Sequence, residues 1–182
     1  YEGSRLNNAD EAVKKAELLL NQGADILDLG GMSTRPGSSE ITLDEELKRV
    51  VPTVEAIMKE FPEAIISVDT YRSKVAKHSV EAGASIINDI SAGVLDEKMF
   101  ETVAELNVPY ILMHMQGSPK NMQQNPHYED VALEVNEFLS EKIQALKSLG
   151  VNDIILDPGF GLSFGKSLHH NYELMDKMDL IG

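Results

Sequence analysis

The chain has 182 residues, 42% of them hydrophobic and 25% charged, which is enough apolar material for one globular domain with a core and too much for a disordered chain. Its net charge of −14 offers no basic face to neutralise phosphates, which argues against nucleic acid as a partner. It has no cysteine for a disulfide or a thiolate zinc site, no apolar run of membrane-spanning length and no signal-peptide character in Tyr1 to Arg5, so no membrane association and a cytoplasmic location are expected.

Asn8, with Glu11 three residues on, reads as a helix cap, and Val13, Ala16 and Leu20 follow at helical spacing up to Gly23. Ile26-Leu27-Asp28-Leu29 reads as a strand that opens at Gly30 into a loop rich in glycine, serine and proline, running to Ser39. Thr42 and Glu45 form a second capping box before Leu47, Val50, Val54 and Ile57, and Pro52 inside that pattern is expected to kink or divide the helix. Ala64 to Val68 predicts a strand ending at Asp69, and Val75, Ala76 and Val80 a helix closed by Gly83.

Ile86-Ile87 predicts a strand ending at Asn88-Asp89, with Asp96 expected to cap a helix that carries Met99, Val103 and Leu106. Pro109 to Met113 is a further strand. The stretch from His114 to His127 beyond it is long and rich in Met, Gln, Asn and Pro, the character of a functional lid. Val131, Val135, Phe138, Leu139 and Leu146 mark a long helix up to Gly150. Ile154-Ile155-Leu156, short and β-branched, predicts a strand buried on both faces that stops at Asp157 and opens into a glycine-rich loop reaching Lys166. A last helix is expected from about Leu168 to Met178, with His169-His170 at its exposed start.

A glycine, an apolar run and a terminal polar group recur at Gly23 to Asp28, Gly83 to Asn88 and Gly150 to Asp157, the mark of a repeated strand unit. Apolar strands each followed by a helix predict an α/β fold with a parallel sheet, either a closed barrel or an open doubly wound sheet. An eight-unit barrel takes about 250 residues, so a barrel reading would be short by about three units. No linker divides the chain, so residues 1–182 are expected to form a single, partial domain.

Asp69, Asn88 and Asp157 stand at the C-terminal ends of predicted strands, with Met113 in the corresponding place on the strand between. One such residue would be read as a helix cap; three at equivalent offsets read as a site at a barrel mouth. Two carboxylates and an amide suit a neutral heterocycle rich in N–H donors, because a carboxylate accepts two parallel N–H bonds from a cyclic guanidine edge. His114 lacks a second histidine at metal-binding spacing and is read as a hydrogen-bonded loop residue. No metal ligand is assigned. The loop from Gly159 to Lys166 does not fit the template of a nucleotide phosphate loop, and Met113, Met115 and Met122 read as flexible packing for a pocket or lid.

Ser33-Thr34-Arg35-Pro36-Gly37, Ser67-Val68-Asp69-Thr70, Ile87-Asn88-Asp89-Ile90, Met113-His114 and Asp157-Pro158-Gly159-Phe160-Gly161 followed by Phe164-Gly165-Lys166 together resemble the dihydropteroate synthase family. The resemblance runs over nearly the whole chain. It implies a TIM barrel, here covering about strands two to six, that joins 4-aminobenzoate to dihydropterin-methyl pyrophosphate in folate biosynthesis. It also implies Mg2+ as cofactor, sulfonamides as competitors and homodimers for the full-length proteins. Carried over by motif, Asp69, Asn88 and Asp157 would hold the pterin. Ile90, Met113 and Phe164 would line its slot, with Leu162 an alternative to Phe164 because Leu162-Ser163 stands where the family has no such pair. Thr34 and Pro36 would form the aminobenzoate side and Arg35 would meet the departing pyrophosphate.

The same resemblance places the family's first strand, with an asparagine for the metal-bound pyrophosphate, before residue 1. It places the strands bearing Ser-Arg-Lys and Arg-x-His after Gly182, so the polypeptide alone is expected to be inactive. A methyltetrahydrofolate-binding methyltransferase domain shares the acid-amide-acid anchor and is the enzymatic alternative; a non-catalytic pterin binder is the other. The Ser-Thr-Arg-Pro-Gly loop favours the synthase.

Overall fold

The computed structural model describes residues 9–32, 41–117, 126–161 and 164–182. Helix α1 (Ala9–Asn21) precedes five strand and helix pairs. These are β1 (Ile26–Gly30) and α2 (Leu43–Glu60), β2 (Ile65–Asp69) and α3 (Ser73–Glu81), β3 (Ile86–Asp89) and α4 (Met99–Leu106), β4 (Tyr110–Met113) and α5 (Val131–Ser148), and β5 (Ile154–Asp157) and α6 (Leu168–Asp176). A 3-10 turn at Met178–Leu180 follows.

All five strands are parallel and lie in sequence order, β1-β2-β3-β4-β5. A doubly wound sheet reverses its strand order at a switch point and carries helices on both faces. Here the order never reverses and each helix packs on the next, α1 on α2 through α5 on α6, so the helices form one layer on one face. This is the wall of a TIM barrel, incomplete within this chain, and the open-sheet alternative falls away.

The period of two residues along each strand divides the sheet. Leu27, Ile66, Val68, Ile87, Tyr110 and Leu112 face the helices and form the core with Val50, Val54, Val103, Val135 and Leu139. Ile26, Ile65 and Ile155 face the other way and are 46%, 44% and 47% exposed. The expectation that the Ile154-Ile155-Leu156 strand is buried on both faces is therefore corrected. Near-continuous apolar sequence gave no alternation to read, yet one face is covered by helices and the inner face is partly open among the described residues.

Local chemistry sets the ends of the elements. Thr42 accepts from the Glu45 amide while the Glu45 carboxylate accepts from the Thr42 amide, the reciprocal box expected from sequence. Pro52 does not divide α2, which is one helix of 18 residues. Pro52 lies on its exposed side, where water can meet the carbonyl freed by the missing N–H, while Val50, Val54 and Ile57 keep the opposite side buried. Asp96 serves two helix starts: its Oδ1 accepts from the Lys98 amide at 3.1 Å just before α4 begins at Met99, as expected, and its Oδ2 accepts from the Ser73 amide at the start of α3, 2.7 Å away.

Asp89 faces the helices and is fully buried. Its Oδ1 accepts from the Ser91 amide and hydroxyl at 2.8 and 2.7 Å, and its Oδ2 from the Gly93 amide at 2.8 Å and the Tyr110 hydroxyl at 2.7 Å. Burial pushes its carboxyl up, and the donors from Ser91, Tyr110 and Gly93 oppose that shift. The acid thus knots the end of β3 to β4. Tyr110→Phe should lower unfolding free energy in urea by about 1.5–3 kcal/mol, the usual range for a hydrogen bond to a charged group; a loss below about 0.5 kcal/mol would show that Ser91 and Gly93 suffice.

Candidate functional site

Register brings the strand-end polar groups together. Gly30 pairs with Asp69, Asp69 with Asn88, and Met113 with Asp157, so the side chains of Asp69, Asn88, Met113 and Asp157 point to the inner face at the C-terminal end of the sheet. Asn88 and Asp89 are adjacent in sequence but on opposite faces, which places Asn88 with the candidate site on the inner face and Asp89 in the packing on the helix side.

Asp69 is half-buried as a residue, but its Oδ1 is sealed from solvent with no hydrogen-bond partner among the described residues, and so is Asn88 Oδ1. Ser67 Oγ, two residues before Asp69 on the same face, is a third buried atom without a partner. Three unpaired polar atoms on two adjacent strands are an unusual concentration, since buried polar groups are nearly always satisfied. Desolvation first, then the carboxylates of Asp28, Asp89 and Glu46, push the Asp69 carboxyl up from 3.8 to about 7. Asp157 is placed differently: its Oδ1 accepts from the Gly159 amide at 2.7 Å.

A small apolar cluster stands at the same strand ends. Ile90, Met113 and Met115 form a buried cluster separate from the main core, and Phe164 packs against it. Three residues named from sequence, Ile90, Met113 and Phe164, therefore meet in one place, with Met115 as the fourth. Thr34, Arg35, Pro36, Leu162, Ser163 and Met122 lie outside the described residues.

The described residues that flank Thr34, Arg35 and Pro36 in sequence are held by side chains. Arg49 Nη1 donates to the Gly31 carbonyl at 3.2 Å before it, and Arg72 Nη2 to the Ile41 carbonyl at 2.8 Å after it. Arg72 Nη1 also pairs with the fully buried Glu46 at 2.6 Å, and the other Glu46 oxygen accepts from the hydroxyl of Thr70, the residue after Asp69. Gln116 serves the longer loop, donating through Nε2 to the His127 carbonyl at 2.9 Å and accepting from the His127 amide at 3.4 Å.

Two residues were missed as site members by sequence reasoning. Asp28 accepts from Asn88 Nδ2 at 3.5 Å and its carboxylate helps to raise Asp69. Its signal was the same run from glycine to acid that marks Asp157. Lys166 is 0% exposed, with its amine 2.9 Å from His114 Nδ1, and nothing in the sequence marks it as buried. His114 itself is a buried, hydrogen-bonded loop residue, as expected, and burial and the Lys166 charge hold its imidazole down to about 3. His169 is exposed, but His170 completes a capping box with Ser167.

Among the described residues no helix is long and apolar enough to cross a membrane, and no three His, Asp or Glu side chains gather as ligands for a cation.

Comparison with known proteins agrees with this geometry. A family model described as pterin binding enzyme matches residues 1–181. The chain is 47% identical over 179 residues to the dihydropteroate synthase of Escherichia coli strain K12, covering 97% of this chain and 62% of that protein. It is 42% identical to the mitochondrial folate synthesis bifunctional protein of Arabidopsis thaliana, covering 98% of this chain and 33% of that protein. The Yersinia pestis dihydropteroate synthase in a sulfonamide complex superposes with a TM-score of 0.89 at 44% identity, covering 94% of this chain and 62% of that one. The Xanthomonas albilineans enzyme in complex with 7,8-dihydropteroate gives 0.81 at 35% identity, covering 99% and 63%. The chain thus spans less than two thirds of the length of these relatives.

An acid raised from 3.8 to about 7 binds its proton more tightly folded than unfolded. Its stabilising effect is complete below pH 3.8 and is lost as pH rises to about 7. Asp69→Asn, which cannot ionise, should therefore melt several degrees above the parent at pH 8, with the gap closing near pH 4, in thermal scans across that range. A variant less stable than the parent at pH 8 would show that Asp69 is a paired carboxylate.

Proposed function

The chain belongs to the pterin-binding enzyme family, and from that premise we propose that it carries the pterin-holding part of a dihydropteroate synthase. The reaction joins 4-aminobenzoate to dihydropterin-methyl pyrophosphate. The observation that carries the proposal is the pair of sealed, unpartnered oxygens, Asp69 Oδ1 and Asn88 Oδ1, beside the slot of Ile90, Met113, Met115 and Phe164. A flat heterocycle with N–H donors along one edge and two apolar faces supplies what both parts lack.

In this reading the C–O bond from the pterin methylene to pyrophosphate breaks, and the pyrophosphate takes the electron pair. The aminobenzoate nitrogen then forms the new C–N bond and loses a proton. Positive charge develops on the pterin methylene as the bond breaks, and carboxylates at Asp157 and Asp69, at strand ends, and at Asp28, two residues before the end of β1, stabilise it. Water excluded by the apolar slot cannot trap the cation. Arg35 would meet the leaving anion and Thr34 and Pro36 the aminobenzoate, roles that rest on the motif they share with the family. The described residues do not form a ligand set for magnesium, so no step here runs through it. Sulfonamides, which occupy a relative's structure, would compete for the aminobenzoate side.

Calorimetric titration of the purified chain with 6-hydroxymethylpterin should show saturable binding, weakened about tenfold or more in Asp157→Ala, as loss of a bidentate carboxylate requires. A sulfonamide should bind in a second titration containing pyrophosphate if the aminobenzoate side is complete. Absence of pterin binding up to about millimolar concentration overturns the reading.

A further inference from the structure

Lys166 is a long cationic side chain with no exposure at all, and the reaction scheme above gives it no task. Its amine lies 2.9 Å from His114 Nδ1, 3.4 Å from the His114 carbonyl and 3.5 Å from the Phe164 carbonyl. Three acceptors match the three N–H donors of an ammonium. The first two belong to the loop after β4 and the third to the loop after β5.

The two loops are also pressed together by their backbones. The His114 amide donates to the Asp157 carbonyl at 2.9 Å, and the Gln116 amide to the Phe164 carbonyl at 3.4 Å. Gly159, at φ +71°, approaches so closely that a Cβ there would sit 2.1 Å from the His114 carbonyl oxygen. Gly165, at φ +72°, would place a Cβ 2.6 Å from the Gln116 carbonyl oxygen. Neither position has room for a side chain, and both favour glycine by conformation. The His114 ring in turn stands edge-on to Phe138 of α5, centroids 5.0 Å apart, so the contact is anchored in the helix layer.

We propose that Lys166 is a positioning residue of the site: its ammonium staples the loop after Asp157 to the loop after Met113 and thereby holds Phe164 over the slot and the Asp157 carboxylate at its edge. The proposal rests on the pterin reading for the identity of the ligand, but not for the loop geometry. Asp157 acts on the Lys166 amine in return, opposing the burial that draws it down to about 7. The acceptor at His114 Nδ1 requires that ring to be the neutral tautomer with its proton on Nε2.

The test compares the parent with Lys166→Met, which keeps the side-chain length and removes the charge and donors. Amide hydrogen exchange is read at Gln116 and Gly159, with Val54 and Leu139 in the helix layer as controls, and nitrogen NMR reports the His114 tautomer. The expected result is exchange at least tenfold faster at Gln116 and Gly159 with the controls unchanged, a shifted His114 Nδ1 resonance, and pterin binding at least tenfold weaker. Unchanged exchange at the two loop amides overturns the proposal, and so does an equal acceleration at all four, which would make Lys166 a general packing residue. If Lys166→Met gives no cooperative melt, His114→Leu decides in its place, since it removes the closest acceptor and must quicken the same two amides. A parent chain that binds no pterin overturns the functional reading, while the exchange data still judge Lys166.

Discussion

A carboxylate oxygen sealed from water with no donor is costly, and Asp69 Oδ1 is held in that state by the parallel register of β2 and β3. The register sets Asp69 beside Asn88, whose own Oδ1 is equally unpaired, and behind both lies the packed layer of Ile66, Val68 and Ile87. The strand end cannot turn away without exposing that core. Stability drawn from the helix face therefore sustains an unsatisfied polar edge on the other face, where a ligand with donors in the right places would pair those oxygens.

Asp89 shows what the same residue type does when it is structural. One position beyond Asn88, on the opposite face, it meets donors from Ser91, Gly93 and Tyr110 and is wholly enclosed. Both acids have their pKa raised by burial, so a raised pKa alone does not separate a candidate site residue from a packing residue. The separation comes from hydrogen-bond accounting, with four bonds at Asp89 and an orphan oxygen at Asp69.

The strands were legible because each is a short apolar run that ends at a polar residue, and all five lie where the pattern put them. The strand-end residues Asp69, Asn88 and Asp157 were legible for the same reason, and Ile90, Met113 and Phe164 through motifs shared with a family. What was not legible depends on which neighbour a side chain finds in space. Asp96 meets the Lys98 amide ahead of α4, as its place in the sequence suggests, but its second oxygen also meets the start of α3, because that helix end lies within reach. Pro52 breaks a helical pattern by propensity but sits on the solvent side of α2, where tertiary packing overrides it. Ile26, Ile65 and Ile155 resemble core residues in composition, and only the sheet shows that they face the open side. Lys166 follows a glycine-rich loop, where a lysine is ordinarily solvated, and its burial arises from the fit of two loops that sequence spacing does not describe.

The rigidity of the site comes from charges placed beside the pocket and not within it. At the β1 and β2 side the buried Glu46 is neutralised by Arg72 and bonded by Thr70, and the same arginine holds the Ile41 carbonyl at the end of the loop bearing Thr34, Arg35 and Pro36. At the β4 and β5 side the enclosed Lys166 is met by His114 and Phe164. Buried charges of this kind are strongly destabilising when one partner is removed, so each arrangement tolerates few alternatives. Because these charges are satisfied by groups outside the pocket, Asp69 and Asn88 need not be used to brace the fold. Their Oδ1 atoms stay unpaired among the described residues, while Gly31, Ile41 and Phe164 are held by Arg49, Arg72 and Lys166 from outside that polar edge.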